Sequence, residues 1–326
     1  MKTLLVTGGC GFIGSNFIRI FLKSISDWNV INLDSLTYAG NPANNADYAQ
    51  NPRYSFIHGD IVNRSVVFDT VKKVQAIINF AAETHVDRSI ADSQSFLTTN
   101  VLGLKNLLDA AMECKVGRFI HISTDEVYGS IAKGSVTESA NLEPNSPYSA
   151  AKAASDLLAR SYTKTYHYPI MIIRSSNNYG PYQFPEKVIP LFITNLIEGK
   201  KVPLYGKGDN CREWIHVEDN CRGILLVFQK GKEGEIYNLG SSHELTNLEL
   251  TKTILKEMNV DESFISYVQD RPGHDFRYCI DTSKIQALGF RPQWNFQDGL
   301  RQTIQWYREH TAWWSPLKKD SFTLKT

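Results

Sequence analysis

The feature that most constrains the fold is an alternation of short apolar runs with longer amphipathic runs over residues 1–175. Several apolar runs are rich in β-branched residues and apolar on both faces, which is typical of strands buried in a parallel sheet. We therefore predict an α/β fold with a doubly wound parallel sheet. The predicted strands are 4–7, 30–33, 55–58, 76–81, 119–123 and 170–174, and the predicted helices are 13–23, 65–73, 95–114 and 148–166.

The pattern changes after residue 175, where prolines begin to cluster. We predict two domains. Residues 1–175 form the domain that binds a dinucleotide and carries the catalytic residues. Residues 176–326 mainly form a smaller lobe over the carboxyl edge of the sheet, with some segments returning to the first domain. The end of the chain, 313–326, is predicted to be a surface extension or a contact to another subunit.

Composition excludes some classes of partner. The chain has 35 basic and 34 acidic residues, so no net field attracts nucleic acid or an anionic membrane. Its five cysteines are odd in number and form no C-x-x-C pair, which predicts reduced thiols and no metal site. The first apolar run ends at Gly8, too short for a membrane span or signal peptide. These observations predict a cytoplasmic protein.

A glycine-rich loop follows the first predicted strand and opens the first helix. Residues 9–14 match G-x-G-x-x-G, and Gly8 extends the match. Glycines let the backbone approach a pyrophosphate, and the helix N-terminus offers unpaired N–H groups. Asp34 ends the second strand, where it can bind an adenosine ribose and favours NAD over NADP. Asp60 and Ile61 follow the third strand and are expected near the adenine. The alternative, a glycine-rich turn without a ligand, does not account for Asp34.

A tyrosine and a lysine lie four residues apart on the last predicted helix of the first half. At this spacing Tyr148 and Lys152 share one helix face. A phenol with a pKa of about 10 is a poor base, and a nearby ammonium lowers that pKa. The pair can therefore deprotonate a hydroxyl while a hydride leaves the same carbon. Ser123 or Thr124 can supply a further hydroxyl. The alternative is an exposed helix pair without a catalytic role.

Two acids, Asp125 and Glu126, follow the fifth predicted strand directly. Ligands of open α/β sheets bind outside the carboxyl ends of the strands. A pair with one protonated and one ionised member can act as acid and base, which allows elimination of water in addition to oxidation. A solvated turn or a helix cap is the alternative.

Longer motifs make a family resemblance specific. The sequence resembles the nucleotide-sugar 4,6-dehydratases of the extended short-chain dehydrogenase family, most closely those acting on dTDP-glucose, over nearly its whole length. It departs from the family at Thr84, where serine is common, at Glu213, where aspartate is usual, and in a shorter segment between Gly129 and Tyr148. The matching segments are 7–14, 37–41, 81–89, 123–129, 148–152, 177–187 and 270–275.

The resemblance implies a Rossmann fold of the extended short-chain dehydrogenase type with a smaller α/β substrate-binding lobe. It implies a hydro-lyase that holds NAD tightly and recycles it. In this scheme Tyr148, assisted by Lys152, takes the O4 proton while the C4 hydride goes to NAD, and Thr124 bonds O4. Glu126 removes the C5 proton, Asp125 protonates the leaving C6 hydroxyl, and the hydride returns to C6.

The resemblance also assigns binding residues and an assembly. It implies a homodimer formed through helices near 97–111 and 150–162, and a place in deoxysugar synthesis such as that of rhamnose. Residues expected to bind the cofactor are Gly8, Gly11, Phe12, Ile13, Gly14, Asp34, Asp60, Ile61, Phe80, Ala81, Ala82, Thr84, Thr99, Tyr148, Lys152 and Asn178. Residues expected to bind the substrate are Thr84, Thr124, Asn177, Lys187, Val188, Pro203, Tyr205, Arg212, Asn247, Arg271 and His274.

Three other functions are consistent with parts of the sequence. A nucleotide-sugar 4-epimerase shares the glycine loop and the tyrosine–lysine pair but has no need of Asp125 and Glu126. A 4,6-dehydratase for another nucleotide hexose, such as GDP-mannose with NADP, conflicts with Asp34. A redox-sensing regulator binds NAD without needing catalytic residues. The sequence leaves the choice between thymine and uracil open, since a single methyl contact is worth only about 1 kcal/mol.

Overall fold

A computed structural model describes residues 1–270 and 273–319 of the chain. Its strands are β1 (Lys2–Thr7), β2 (Trp28–Asp34), β3 (Tyr54–His58), β4 (Ala76–Asn79), β5 (Arg118–Thr124), β6 (Ile170–Ser175), β7 (Asn177–Tyr179), β8 (Val202–Tyr205), β9 (Cys211–His216), β10 (Ile236–Leu239), β11 (Glu244–Thr246) and β12 (Ile265–Val268). Its α-helices are α1 (Phe12–Ser24), α2 (Arg64–Val71), α3 (Val86–Ala91), α4 (Gln94–Phe96), α5 (Leu104–Glu113), α6 (Pro147–Tyr166), α7 (Val188–Ile197), α8 (Val217–Lys230), α9 (Asn247–Met258), α10 (Ser283–Ala287), α11 (Phe296–Glu309) and α12 (Thr311–Lys319).

A parallel sheet lies at the centre of the molecule. Within the described ranges it has seven strands in the order β10-β6-β5-β4-β1-β2-β3, and every neighbouring pair is parallel. The winding reverses between β1 and β4, which leaves a crevice at the carboxyl ends of these strands. The predicted doubly wound parallel sheet is confirmed.

Both faces of the sheet are covered, because successive strand side chains point to opposite faces. On β1, Leu4 and Val6 join one buried cluster with α1 and α8. Leu5 joins the other cluster with α2, α5 and α6. Burial on both faces is the reason that the strands are apolar at consecutive positions.

The predicted elements of the first half agree with the observed ones to within two residues at each end. The run 76–81 was too long, since β4 ends at Asn79. Its neighbour β1 ends at Thr7, so the Ala81 amide donates to the Thr7 side chain at 3.4 Å and not to a strand carbonyl. The predicted helix 95–114 is observed as α4 and α5 joined by a π-helical stretch, Leu97–Gly103.

The second half surrounds a separate apolar cluster formed by α7, α9, α11, α12 and the short strands. Two of its elements return to the central sheet: β10 pairs with β6, and α8 packs against α1. The division of the chain at residue 175 stays a prediction.

The prediction of a surface extension at 313–326 is wrong for its two tryptophans, Trp313 and Trp314. Trp314 is only 1% exposed, and its indole N–H donates to the Tyr307 carbonyl at 2.8 Å. The indole N–H of Trp313 donates to Asn44 Oδ1 at 2.8 Å. Residues 320–326 lie outside the described part of the chain.

Two chain-wide features complete the description. No helix within 1–270 and 273–319 combines the length and apolarity needed to cross a membrane. All five cysteines are free.

Candidate active site

A long cavity lies at the carboxyl ends of β1, β2, β4, β5 and β6, where the winding reverses. It begins at the glycine loop between β1 and α1 and extends to Lys187 at the start of α7. Residues of both halves of the chain therefore line one space. This is the position at which open α/β sheets bind ligands.

The glycine loop forms one end of the cavity and has no room for larger residues. Gly8 has a φ of +69°, and a Cβ there would lie 2.7 Å from the Ala81 nitrogen. A Cβ on Gly14 would lie 2.4 Å from the Gly8 carbonyl oxygen. Gly11 caps α1 without a side-chain hydrogen bond, and the first turn of α1 has no acidic residue. The first-turn N–H groups and the helix dipole thus favour an anion such as a pyrophosphate.

Asp34 fixes the shape of the loop at the end of β2. One of its carboxylate oxygens accepts from the Cys10 amide and the other from the Leu36 amide, each at 2.8 Å. Burial raises the pKa of Asp34, although both N–H bonds oppose the change. The carboxylate lines the cavity and retains lone pairs that can accept bonds from ribose hydroxyls.

Helix α6 presents Tyr148 and Lys152 to the cavity from its first turns. Ser146 caps the helix, accepting from the Ser149 amide while the Ser149 hydroxyl accepts from the Ser146 amide. The backbone amide of Tyr148 also donates to Ser89 Oγ at 3.1 Å. Lys152 Nζ donates to the Ile122 carbonyl of β5 at 2.6 Å. The helix start and the β5 backbone therefore hold both side chains in place.

The pKa values of this pair are set chiefly by burial. Burial lowers the pKa of Lys152 to about 8, while the charge of Asp156 on the next turn raises it. Burial, followed by the charges of Glu126 and Asp125, raises the pKa of Tyr148 well above its usual value. The phenol pKa is therefore raised and not lowered as the lysine spacing predicts, because burial and then the two carboxyl charges oppose the phenolate.

The two acids follow β5 in a 3₁₀ turn, Asp125–Tyr128, that Thr124 caps. Thr124 Oγ1 accepts from the Glu126 amide and lies 3.2 Å from Asp125 Oδ1. The Thr124 side chain also acts to lower the pKa of the nearby Tyr148 phenol. Asp125 is 2% exposed, whereas Glu126 is only half-buried. The cap therefore holds both carboxyl groups beside the phenol in different environments.

The environment of Asp125 favours its protonated form. Burial raises its pKa most, the charges of Glu126 and Glu213 raise it further, and Arg212 opposes them. Within the described residues its Oδ2 atom has no hydrogen-bond partner. A carboxyl group with a raised pKa beside a second, more exposed carboxyl group is the arrangement needed for one acid and one base.

All five residues predicted to be catalytic line this one cavity: Thr124, Asp125, Glu126, Tyr148 and Lys152. The structure thus brings a phenol, an ammonium and two carboxyl groups to one space. Such a set can remove a proton from a hydroxyl, remove another from carbon, and protonate a leaving group.

Several buried polar atoms around the cavity lack partners in the described part of the chain. They are hydroxyl and amide oxygens at the ends of β5, β6 and β7. Buried polar groups are normally bonded, so these atoms fit a bound polar ligand. The atoms are Ser123 Oγ, Ser175 Oγ, Ser176 Oγ, Asn177 Oδ1 and Asn178 Oδ1.

Comparison with known proteins agrees with this geometry. A sequence model of the GDP-mannose 4,6 dehydratase family matches residues 5–303. A dTDP-glucose 4,6-dehydratase of Streptomyces niveus is 52% identical over 320 residues, which is 97% of this chain and 95% of that protein. The chain belongs to the nucleotide-sugar 4,6-dehydratase family.

Solved structures extend the comparison. DesIV, a dTDP-glucose 4,6-dehydratase of Streptomyces venezuelae crystallised with NAD bound, is 55% identical with a TM-score of 0.96, covering 97% of this chain and 100% of that chain. A UDP-glucose 4-epimerase of Thermus thermophilus in complex with NAD has a TM-score of 0.88 at 27% identity, covering 95% and 100%. The fold is thus shared with epimerases, and the residues of the cavity have to distinguish the two chemistries.

The structure groups the cofactor residues expected for the family. Every one of them lines the cavity, from Gly8 on the glycine loop to Asn178 on β7. Their role in binding stays a prediction.

The residues expected to bind substrate are divided. Four of them line the cavity: Thr84, Thr124, Asn177 and Lys187. Six others do not line it: Val188, Pro203, Tyr205, Arg212, Asn247 and His274. Arg271 lies outside the described residues.

Residues of the second group still lie close to the catalytic set or to one another. Arg212 is 7% exposed, donates to the Asp275 carbonyl at 2.9 Å, and acts on the pKa of Asp125. His274 Nδ1 lies 2.7 Å from Asp270 Oδ1, and its ring meets that of Tyr205 at 6.3 Å. A binding role for these residues stays a prediction.

Sequence reasoning missed several residues that line the cavity. The signal for Ser175 and Ser176 was available, because they end β6 at the same edge of the sheet as Thr124. Tyr38, Phe184 and Glu186 belong to segments 37–41 and 177–187. These segments support the family resemblance, but the resemblance assigned no function to these three residues. The missed residues include Tyr38, Ser175, Ser176, Gln183, Phe184 and Glu186.

Proposed function

We propose that the protein converts dTDP-glucose to dTDP-4-keto-6-deoxyglucose by oxidation at C4, elimination of water across C5 and C6, and return of hydride to C6. The observation that carries the proposal is the shared cavity of Tyr148, Lys152, Asp125 and Glu126. Elimination needs the acid pair, and epimerisation does not. The relatives of highest identity described above are dTDP-glucose 4,6-dehydratases, which supports the choice of substrate.

The residues of the glycine loop and of β2 fit NAD. The first-turn amides of α1 would hold its pyrophosphate, and Asp34 would hold the adenosine ribose. A carboxylate at Asp34 disfavours the 2′-phosphate of NADP. When bound, NAD accepts the hydride from C4 and later returns it to C6.

The first step is deprotonation of the O4 hydroxyl by Tyr148. Burial and two carboxyl groups oppose the phenolate, so a positive charge has to offset them. The Lys152 ammonium on the same helix face supplies one positive charge, and Thr124 donates a hydrogen bond that holds O4 beside the phenol. Oxidation at C4 then acidifies the neighbouring C5–H.

The second step divides the work between the two acids. Glu126 is half-buried and lines the cavity. It removes the C5 proton. Asp125, whose pKa is raised by burial and by the charges of Glu126 and Glu213, keeps its proton to higher pH than an ordinary aspartate and donates it to the departing C6 hydroxyl. Their different burial accounts for their different roles.

The test is turnover of purified protein with dTDP-glucose in deuterated water and without added NAD. Hydride addition at C6 leaves an enolate that is protonated at C5, so we expect a 4-keto-6-deoxy product with deuterium from the solvent at C5. A C4 epimer without solvent label would contradict the proposal and indicate an epimerase. Inhibition of turnover by dTDP and by UDP identifies the preferred nucleobase. A site selective for thymine is inhibited more strongly by dTDP than by UDP.

We further propose a homodimer formed through α5, α6 and the π-helical stretch before α5. Three leucines on these helices are strongly exposed: Leu97 at 46%, Leu102 at 53% and Leu157 at 53%. Large exposed apolar side chains on neighbouring helices are typical of an association surface. Light scattering should give twice the monomer mass, and L102D combined with L157D should give the monomer.

We also propose a cytoplasmic location, which rests on the cysteine pattern and the short first apolar run, and a place in deoxysugar synthesis, such as that of rhamnose. The second proposal rests on the family and on the nature of the product, an activated deoxysugar precursor.

A further inference from the structure

Three chain segments that border the cavity meet at one cluster of charged and aromatic residues. Arg88 donates to Glu186 Oε2 from Nη2 at 3.0 Å and from Nε at 3.3 Å. Its guanidinium lies 3.9 Å from the centre of the Tyr38 ring. We call Tyr38, Arg88 and Glu186 the clasp. These three residues belong to the matching segments of the sequence, but the proposed reaction assigns no role to any of them.

The clasp is shielded from water. The Glu186 side chain is 2% exposed and that of Arg88 is 23% exposed. Charge-assisted hydrogen bonds strengthen as solvent is excluded, and a planar guanidinium can bond a carboxylate while it stacks on a ring. The Arg88–Glu186 pair therefore has a defined geometry in a largely desolvated place, and a lysine cannot reproduce that geometry.

Other contacts join the same three segments. Lys187 Nζ donates to the Thr84 carbonyl at 2.8 Å. The Tyr38 and Phe184 rings meet edge to face at 5.5 Å. His85 Nε2 lies 3.9 Å from Glu186 Oε1. The clasp is thus the centre of a continuous set of contacts between the loop after β2, the loop after β4 and the segment before α7.

The same segments form walls of the cavity. Tyr38, Thr84 and Glu186 line it, together with the glycine loop. Two of the segments come from the first half of the chain and one from the second. The clasp therefore ties the two halves together across the space that the cofactor residues line.

We propose that the clasp retains NAD between turnovers by holding these three segments together around the cavity. This inference rests on the proposed function, in which the cofactor is regenerated in place. Such a cofactor has to stay bound while substrate enters and product leaves. Contacts between protein side chains meet that requirement, because they persist when no sugar nucleotide is bound.

The test is retention of NAD by the full-length protein carrying Arg88→Lys. This variant keeps the positive charge but loses the two-donor fork and the flat stacking on Tyr38. Bound NAD is quantified by chromatography after acid release, and its loss is followed during dilution into an NAD-consuming trap. We expect loss at least about tenfold faster than in the wild type, as for one charge-assisted hydrogen bond. Added NAD should restore product formation.

A matched control comes from an ion pair between α11 and α9 whose residues do not line the cavity. Arg301 Nε lies 2.9 Å from Glu257 Oε2, and the Arg301 side chain is 56% exposed. Arg301→Lys should leave NAD loss unchanged. Should Arg88→Lys fail to fold, Glu186→Gln, which keeps the shape of the side chain, is measured in its place.

Loss of NAD at the wild-type rate in the folded clasp variant would overturn the inference. The retention measurement contains no sugar nucleotide, so its result does not depend on which reaction the enzyme catalyses. Product formed by the wild type together with unchanged retention in the variant contradicts the clasp alone. A wild type that retains NAD but forms no keto product contradicts the proposed reaction alone.

Discussion

Asp125 and Glu126 are adjacent in sequence but differ in environment, and that difference defines the chemistry at the residue scale. Asp125 is buried with a raised pKa, whereas Glu126 is half-buried. Both lie beside Tyr148, so a hydroxyl and its neighbouring carbons can meet all three groups. Substitution of one acid should therefore stop the reaction at a defined step.

Glu126→Gln should leave oxidation possible and block removal of the C5 proton. We expect the cofactor to become reduced on addition of dTDP-glucose, with turnover lower by about 100- to 10,000-fold, the usual contribution of a general base. The measurement is NADH absorbance together with product analysis. Glu262→Gln is the control, because that side chain is 63% exposed and has no role in the proposed reaction. Normal turnover of Glu126→Gln would show that another group removes the proton.

The pH profile should report on Asp125. As the pH rises through its raised pKa, Asp125 loses the proton that it donates, so elimination slows on the alkaline side. Glu213 is fully buried and its charge raises the pKa of Asp125. Glu213→Gln removes that charge and should shift the alkaline limb of kcat to lower pH. An unshifted limb would mean that another group, such as Lys152 with its pKa of about 8, sets it.

At the scale of elements, the start of α6 positions Tyr148. Ser146→Ala removes the capping box and should cost about 1 kcal/mol of stability. Because Tyr148 is in the first turn, kcat should fall more than stability alone predicts. Asn295 caps α11, accepting from the Asp298 amide at 2.9 Å, and is the matched control. Denaturation and steady-state kinetics compare the two variants; equal effects on kcat would exclude a positioning role for the cap.

Local patterns predicted the helices and strands of the first half. Parallel strands are buried on both faces, so they occur in the sequence as continuous apolar runs that are easy to recognise. The end of β4 was mispredicted because it depends on where β1 stops, which the sequence of 76–81 does not contain. The glycine loop, Asp34 and the β5 end were predictable, since the motif and the strand order place them at one edge. Ser175 and Ser176 could have been found by the same rule.

At the scale of the whole molecule, the last helix is part of the core. Trp314 packs among Tyr307 and its neighbours with 1% exposure. Trp314→Ala should lower the free energy of unfolding by about 3–5 kcal/mol, as for other buried large aromatic residues. Chemical denaturation measures the change, and Tyr267→Ala, at 62% exposure, should change it little. A small effect of Trp314→Ala would mean that α12 unfolds separately.

Contacts between distant parts of the chain were beyond sequence reasoning. Trp313 and Asn44 are separated by 269 positions. The residues next to Trp313 and Trp314 in the sequence do not indicate whether these two side chains are buried in the core or exposed at the surface. The substrate residues of the second half present the same difficulty, because their relation to Asp125 depends on how β9 meets β7.

The bond from Trp313 to Asn44 also affects how the protein matures. Asn44 Nδ2 donates to the Cys10 carbonyl at 2.8 Å, so the last helix braces the glycine loop through one side chain. A nascent polypeptide on the ribosome therefore lacks part of this support until α12 has been synthesised. Newly made enzyme should acquire its full grip on the dinucleotide only after α12 has folded onto Asn44, which couples cofactor loading to an intact α12.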